Sequence, residues 1–153
     1  MGAGKRQRAV VLLIEDDPGD QELTRRALAG GPTHMELRIV EDGEQALDYL
    51  FARGEFTDRQ RAPRPDLIIL DLNLPRVDGR EVLRQIKTDA ELGTIPVVVL
   101  TTSKRCEDIQ ASYALGCNSF ITKPMELGES VDGLQRLGSY WLELVALPRC
   151  LHS

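Results

Sequence analysis

Acidic, hydroxyl and amine side chains collect at four places in this chain: Glu15-Asp16-Asp17, Asp71 with Asn73 two positions on, Thr101-Thr102-Ser103, and Lys123. Each follows a short apolar run: VVLLI at 10–14, LIIL at 67–70, VVVL at 97–100 and FI at 120–121. If a fold brought these four ends together, the chemistry on offer would be phosphoryl transfer. Two carboxylates such as Asp16 and Asp71 repel at close range unless a cation lies between them. Hard oxygen ligands suit Mg²⁺, which keeps several waters and takes one or two carboxylates plus a phosphate. A carboxylate is a competent nucleophile and gives an aspartyl phosphate. Thr101 would donate a hydrogen bond to a phosphoryl oxygen, Thr102 offers a second hydroxyl, and Lys123 supplies a point charge. Phosphoryl transfer asks for little more than such positioning and electrostatics.

Taken singly, these residues mean less. An acid just after a strand is commonly a helix N-cap, and Asp17-Pro18 reads as an N-cap followed by proline at the first helical position, so Asp17 is assigned to capping. A lone Thr101 is commonly a structural hydroxyl, and a lone Lys123 a solvated charge. The conjunction at four strand ends carries the reading.

The elements that must position them follow from hydrophobic patterning. Continuous rather than alternating apolar runs predict strands buried on both faces. A fifth strand is expected at 37–40 (LRIV), the most edge-like because Arg38 interrupts it. Helical spacing appears over 19–29, 43–52, 79–87, 105–115 and about 126–146. Over 105–115 the inward residues are expected to be Ile109, Tyr113 and Ala114 or Leu115. Gly30-Gly31-Pro32 and Gly116 read as helix stops. Strands alternating with helices imply right-handed crossovers and a parallel sheet covered on both faces. The fold class is therefore α/β, a doubly wound five-stranded parallel sheet in flavodoxin-like (βα)5 order, whose ligand site lies at the carboxyl ends of the strands. Residues 53–65 (RGEFTDRQRAPRP) form a long polar surface loop ahead of the third strand.

The 153 residues suffice for one domain, and 42% hydrophobic with 28% charged residues is a globular composition. A net charge of −5 argues against a nucleic-acid partner, and the early basic residues Lys5, Arg6 and Arg8 read as a solvated tail. Cys106, Cys117 and Cys150 make no metal or disulfide pattern and fit reduced thiols in a cytoplasm. No stretch approaches the roughly 20 apolar residues of a membrane helix, and the polar start has no secretion-signal pattern. The expected organisation is a flexible N-terminal tail at 1–8, one domain at 9–147 and a C-terminal tail at 148–153.

The segments IEDDP (14–18), DLNLPRVDG (71–79), PVVVLTTS (96–103) and GCNSFITKP (116–124) resemble the response-regulator receiver family over roughly residues 8 to 145. The resemblance implies that Asp71 accepts a phosphoryl group from a histidine kinase. It implies Mg²⁺ held by Asp16 directly, by Glu15 through water, by Asp71 and by the Asn73 carbonyl. It makes Thr101 the switch hydroxyl, Lys123 the phosphoryl-binding lysine and Phe120 the rotating aromatic, and it implies a cis Lys123-Pro124 bond. Glu15 stands where Asp is commoner, and Phe120 lacks the hydroxyl of the Tyr in some relatives. Asn73 and Ser103 occupy the positions that tune hydrolysis of the phospho-aspartate. The 53–65 loop, SFITKP and the ending SYWLELVALP resemble receivers that partner phytochrome-type histidine kinases.

No output domain is expected after the last helix, so a signal would leave through a surface change at the fourth helix, fifth strand and fifth helix, passed to an unidentified downstream protein. Tyr140, Trp141, Leu142 and Leu147 are expected to contribute to a homodimer, with Trp141 also serving the core. Two other classes are compatible with an acid after a strand. One is an aspartate-nucleophile, metal-dependent phosphatase, which wants a second acid where Asn73 stands. The other is a phosphorylation-independent interaction module, which usually lacks one of the acids, the threonine or the lysine.

Overall fold

A computed structural model describes residues 8–29, 35–123 and 127–148 of the chain. Lys5, Arg6, the Gly30-Gly31-Pro32 stop, Pro124 with its peptide bond, and Cys150 lie outside the described residues. Strands β1 (Ala9–Ile14), β2 (Met35–Val40), β3 (Leu67–Leu70), β4 (Val97–Thr101) and β5 (Ser119–Thr122) alternate with helices α1 (Pro18–Ala29), α2 (Gly43–Leu50), α3 (Gly79–Thr88), α4 (Cys106–Leu115) and α5 (Leu127–Ser139). All strand pairs are parallel, in the order β2-β1-β3-β4-β5. This is the expected flavodoxin-like α/β sheet, with the edge-like 37–40 run on an edge strand.

Burial on both faces explains the continuous apolar runs. Leu12, Ile14, Ile68, Leu70, Val97 and Val99 pack against α2 and α3 on one side. Val11, Leu13, Leu67, Ile69, Val98 and Leu100 pack against α1 and α5 on the other. Successive strand residues thus serve alternate layers, and the central strands are almost fully excluded from solvent.

Side chains fix the helix starts. Asp17 Oδ2 accepts the Asp20 N–H at 2.8 Å, which makes Asp17 the expected N-cap of α1. Asp42 and Asp78 cap α2 and α3 by accepting from the N–H groups of Gln45 and Arg80. Gly116, at φ 107°, ends α4 in the left-handed conformation that glycine adopts freely. The 53–65 loop lies on the surface, as expected, but is stapled to α2. The Arg59 guanidinium donates to the carbonyls of Tyr49, Leu50 and Ala62, and Tyr49 Oη donates to the Pro63 carbonyl at 2.8 Å. A cation at the carboxyl end of α2 also suits the helix dipole.

Two expectations are corrected. In α4 the one fully buried residue is Ser112; Ile109 and Leu115 are half-buried, Leu115 against the core as expected, whereas Tyr113 is 49% exposed and Ala114 is exposed. Tyr113 stays at the surface, where its hydroxyl accepts the Phe120 N–H at 3.1 Å. The last helix is not continuous to 146. It ends at Ser139 and gives way to a π-helical turn, Tyr140–Leu144. Leu134, Leu137 and Trp141 are buried despite that widening, so the inward stripe survives.

Gly79 and Gly133 make a controlled pair. A Cβ on Gly79 would sit 2.3 Å from the Asp71 carbonyl oxygen and 2.6 Å from Leu72 Cα, whereas one on Gly133 would meet nothing within 4 Å. Gly79→Ala is expected to destabilise by about 2–3 kcal/mol through overpacking against backbone. Gly133→Ala is expected to stabilise by about 0.5–1 kcal/mol through helix propensity. Urea unfolding of both variants checks the opposite signs.

Candidate functional site

Three backbone hydrogen bonds just past the strand ends build the site. The Glu15 N–H bonds the Val40 carbonyl at 3.0 Å, the Asp71 N–H bonds the Ile14 carbonyl at 3.0 Å, and the Lys123 N–H bonds the Thr101 carbonyl at 2.7 Å. Each extends a ladder by one step. Residues distant in sequence therefore become neighbours along one edge of the sheet, where an open parallel sheet collects ligands.

Oxygens of Glu15, Asp16 and Asp71 lie within 4.8 Å of one another, with Glu15 and Asp71 buried and Asp16 exposed. Lys123 closes the opposite side. Its ammonium donates to Glu15 Oε1 at 2.5 Å, Asp20 Oδ2 at 2.9 Å and Asp71 Oδ2 at 3.2 Å. Asp71 Oδ1 accepts the Asn73 N–H at 3.1 Å, so both Asp71 oxygens are held. Burial, opposed by Lys123, raises the Glu15 carboxyl from 4.5 to about 7, with the neighbouring Asp71 charge acting in the same direction as burial. Burial alone would lower Lys123, but its hydrogen bonds to Glu15 and Asp20 outweigh that and hold it above its ordinary value.

The donor set fits a hard divalent cation. Three carboxylates converge, two are nearly excluded from solvent, and a single ammonium leaves them under-neutralised. Glu15, Asp16 and Asp71 would supply carboxylate oxygens, and Asn73 sits one turn of loop beyond Asp71.

The remaining expected residues fall around this centre. Thr101 is fully buried at the end of β4, and its Oγ1 accepts the Ser103 N–H at 3.4 Å. Among the described residues it makes no hydrogen bond to Asp71. Thr102 is exposed and faces a cavity of about 130 Å³ between α1 and α5, beside Asp20 and Lys123. Phe120 is half-buried on β5 against the layer that contains α2 and α3.

Sequence reasoning missed two features. Asp20, one helical turn beyond Asp16, is a partner of Lys123, and its spacing on α1 was the available signal. The second is a polar chain. Ser103 Oγ donates to Asp108 Oδ2 at 2.6 Å, and Asp108 Oδ1 accepts from Arg80 Nη2 at 2.8 Å. Arg80 also bonds Asp78 in the loop after Asp71. Hydrogen bonds from Ser103 and then Arg80 hold the Asp108 carboxyl below the ordinary range. No periodicity connects positions 28 residues apart on two helices.

Comparison with known proteins agrees with this geometry. Residues 11–135 match the response regulator receiver domain family. The chain is 45% identical over 139 residues to the response regulator Rcp1 of Synechocystis sp., covering 91% of this chain and 92% of that protein. It also matches the crystal structure of the phosphorylated cyanobacterial phytochrome response regulator RcpA at TM-score 0.88 and 43% identity, over 93% of this chain and 99% of that one. The Mn²⁺-bound form of Rcp1 matches at TM-score 0.87 and 45% identity, over 92% and 99% of the two chains.

The raised Glu15 carboxyl gives a pH-dependent consequence. A group whose folded value exceeds its unfolded one binds an extra proton in the fold, so its contribution to stability is full below 4.5 and is lost as pH rises through about 7. A divalent cation selects the ionised form. The rise in melting temperature on adding Mn²⁺ is therefore expected to be larger at about pH 8 than at about pH 6. Thermal melts at both pH values check this, and equal rises would contradict it. Glu15→Gln should flatten the difference.

Proposed function

This chain belongs to the response-regulator receiver family, and on that footing we propose that Asp71 accepts a phosphoryl group from a histidine kinase, with Mg²⁺ at the Glu15–Asp16–Asp71 cluster. The observation that carries this reading is the convergence of the Glu15 and Asp16 carboxylates and the Lys123 ammonium around the Asp71 carboxylate. In the step, an Asp71 oxygen forms a bond to phosphorus as the bond to the kinase's imidazole nitrogen breaks, and the imidazole leaves with the electron pair. Mg²⁺, when bound, neutralises charge on the phosphoryl oxygens. Asp16, Glu15 and Asp71 would hold the cation. Lys123 places a positive charge beside Asp71, and the Asn73 N–H orients the carboxylate. Thr101 donates its hydroxyl to a phosphoryl oxygen once its side chain turns toward Asp71. Phe120 repacks in response, biasing a two-state surface.

The kinase of this reading is a phytochrome-type histidine kinase, so that light is the distant input and a cytoplasmic setting follows. Support comes from similarity to RcpA, described as a phytochrome response regulator. The outgoing surface is the face of α4, β5 and α5, where α4 buries only Ser112 and leaves Tyr113 exposed. The same reading includes a homodimer through Tyr140, Trp141, Leu142 and Leu147, although Leu142 and Leu147 are half-buried against the core. Tyr140 is 51% exposed and stacks edge-on against Trp141, which itself packs into the core. Large exposed aromatic surface of this kind invites burial.

Incubation with Mg²⁺ and acetyl phosphate is expected to add about 80 Da, one phosphoryl group, and Asp71→Asn is expected to abolish the adduct. Mass spectrometry reads the outcome. Multiple turnover of phosphate monoesters would instead mark a phosphatase, and no adduct would mark a phosphorylation-independent module. For the homodimer, Tyr140→Lys is expected to give the sedimentation coefficient of a monomer. If wild type and variant sediment alike, the interface lies elsewhere or does not exist.

A further inference from the structure

We propose that Asp20 is a positioning residue for phosphoryl transfer, acting by fixing Lys123 over the site; the inference rests on the receiver reading above. An ammonium has three N–H donors. Those of Lys123 go to Glu15, Asp20 and Asp71. Glu15 and Asp71 belong to the carboxylate cluster that fits a cation, and Asp20 does not. A cation shared by Glu15 and Asp71 weakens their hold on Lys123, and Asp20 is then the one carboxylate in the set whose bond to the ammonium is not contested.

The local structure suits that task. Asp20 sits in the first turn of α1, where the helix dipole favours a carboxylate. Its backbone is pinned because its N–H is bonded by Asp17 Oδ2 at 2.8 Å. Beside the Asp20–Lys123 pair lies the cavity of about 130 Å³, walled by Leu23, Leu100, Leu134 and Leu137. A lysine released from Asp20 has room to swing toward that cavity and away from Asp71. Held by Asp20, the positive charge stays where the phosphoryl oxygens arrive.

The test measures adduct formation by the full chain with acetyl phosphate at saturating Mg²⁺, together with Mn²⁺ affinity. Asp20→Asn is expected to slow adduct formation about tenfold, the scale of losing one positioning contact. Mn²⁺ affinity should stay within about threefold, because Asp20 is not a ligand. Asp20→Glu should recover part of the rate. In a Lys123→Ala background, Asp20→Asn should have no further effect, which a merely structural role would not produce. A rate within about twofold of wild type for Asp20→Asn overturns the inference. So does a parallel loss of Mn²⁺ affinity, or an undiminished effect without Lys123. If wild type itself takes no adduct, the receiver reading falls and this inference with it. If wild type is phosphorylated and only the Asp20 result fails, the receiver reading stands alone.

Discussion

Like charge at one edge of a sheet is the constraint around which this molecule is arranged. Glu15, Asp16 and Asp71 bring oxygens within 4.8 Å of one another, and Asp20 adds a further carboxylate around the same ammonium. Left to relax, such groups would separate into water. They are held by backbone, through the single ladder steps that follow β1 and β3. Those steps end strands whose residues are almost entirely excluded from solvent, so the apolar layers on both faces oppose the repulsion. The fold thus maintains a local deficit of positive charge. Burial, opposed by Lys123 and aided by the Asp71 charge, raises the Glu15 carboxyl, and Lys123, which burial alone would lower, is held up by its carboxylate partners. A divalent cation is the chemical partner the deficit selects, and in the proposed reading an arriving phosphoryl group is the second.

Acidic residues in this chain consequently play two parts that composition cannot separate. Asp17, Asp42 and Asp78 each give a side-chain oxygen to a helix N–H and lie where a helix needs a cap. Asp16 and Asp71 lie directly against the strand ends and point into the cluster. Close approach of the supporting loops completes the arrangement. Gly79 lets the start of α3 rest against the Asp71 carbonyl and Leu72, and Gly43 lets α2 rest against the Val77 carbonyl, positions where any Cβ would collide with backbone.

This division explains how much was legible beforehand. The sheet could be read because strands buried on both faces leave continuous apolar runs, and the site could be read because its residues follow those runs directly. What escaped was set by side-chain contacts between elements. Asp20 earns its role only when β5 delivers Lys123 to α1. Arg80 and Asp108 meet only because α3 and α4 pack side by side. The inward face of α4 departs from the expectation because its most buried position carries a small side chain rather than a bulky one. In CEDIQASYAL the buried position is Ser112, and the Tyr113 hydroxyl instead accepts the Phe120 N–H of β5. The break after Ser139 was invisible for a different reason. Leu134, Leu137 and Trp141 keep helical spacing across it, so the pattern carries no mark of the wider turn.

The same contacts bear on how an event at Asp71 would reach the surface. Thr101 Oγ1 accepts the Ser103 N–H, Ser103 Oγ donates to Asp108, and Asp108 is gripped by Arg80, which also holds Asp78 in the loop that follows Asp71. The two loops flanking the site are therefore joined through a charged pair on α3 and α4. In the proposed reading, Thr101 moving toward a phosphorylated Asp71 strains the Ser103–Asp108 bond while the Arg80–Asp78 end stays put. The helix able to yield is α4. It buries one small residue, whereas α3 buries Gly79, Val82, Leu83 and Ile86. Displacing α4 exposes little apolar surface and alters the Tyr113 contact with β5 directly. The packing that left α4 hard to read from sequence is thus also what makes it the least costly outlet for a signal.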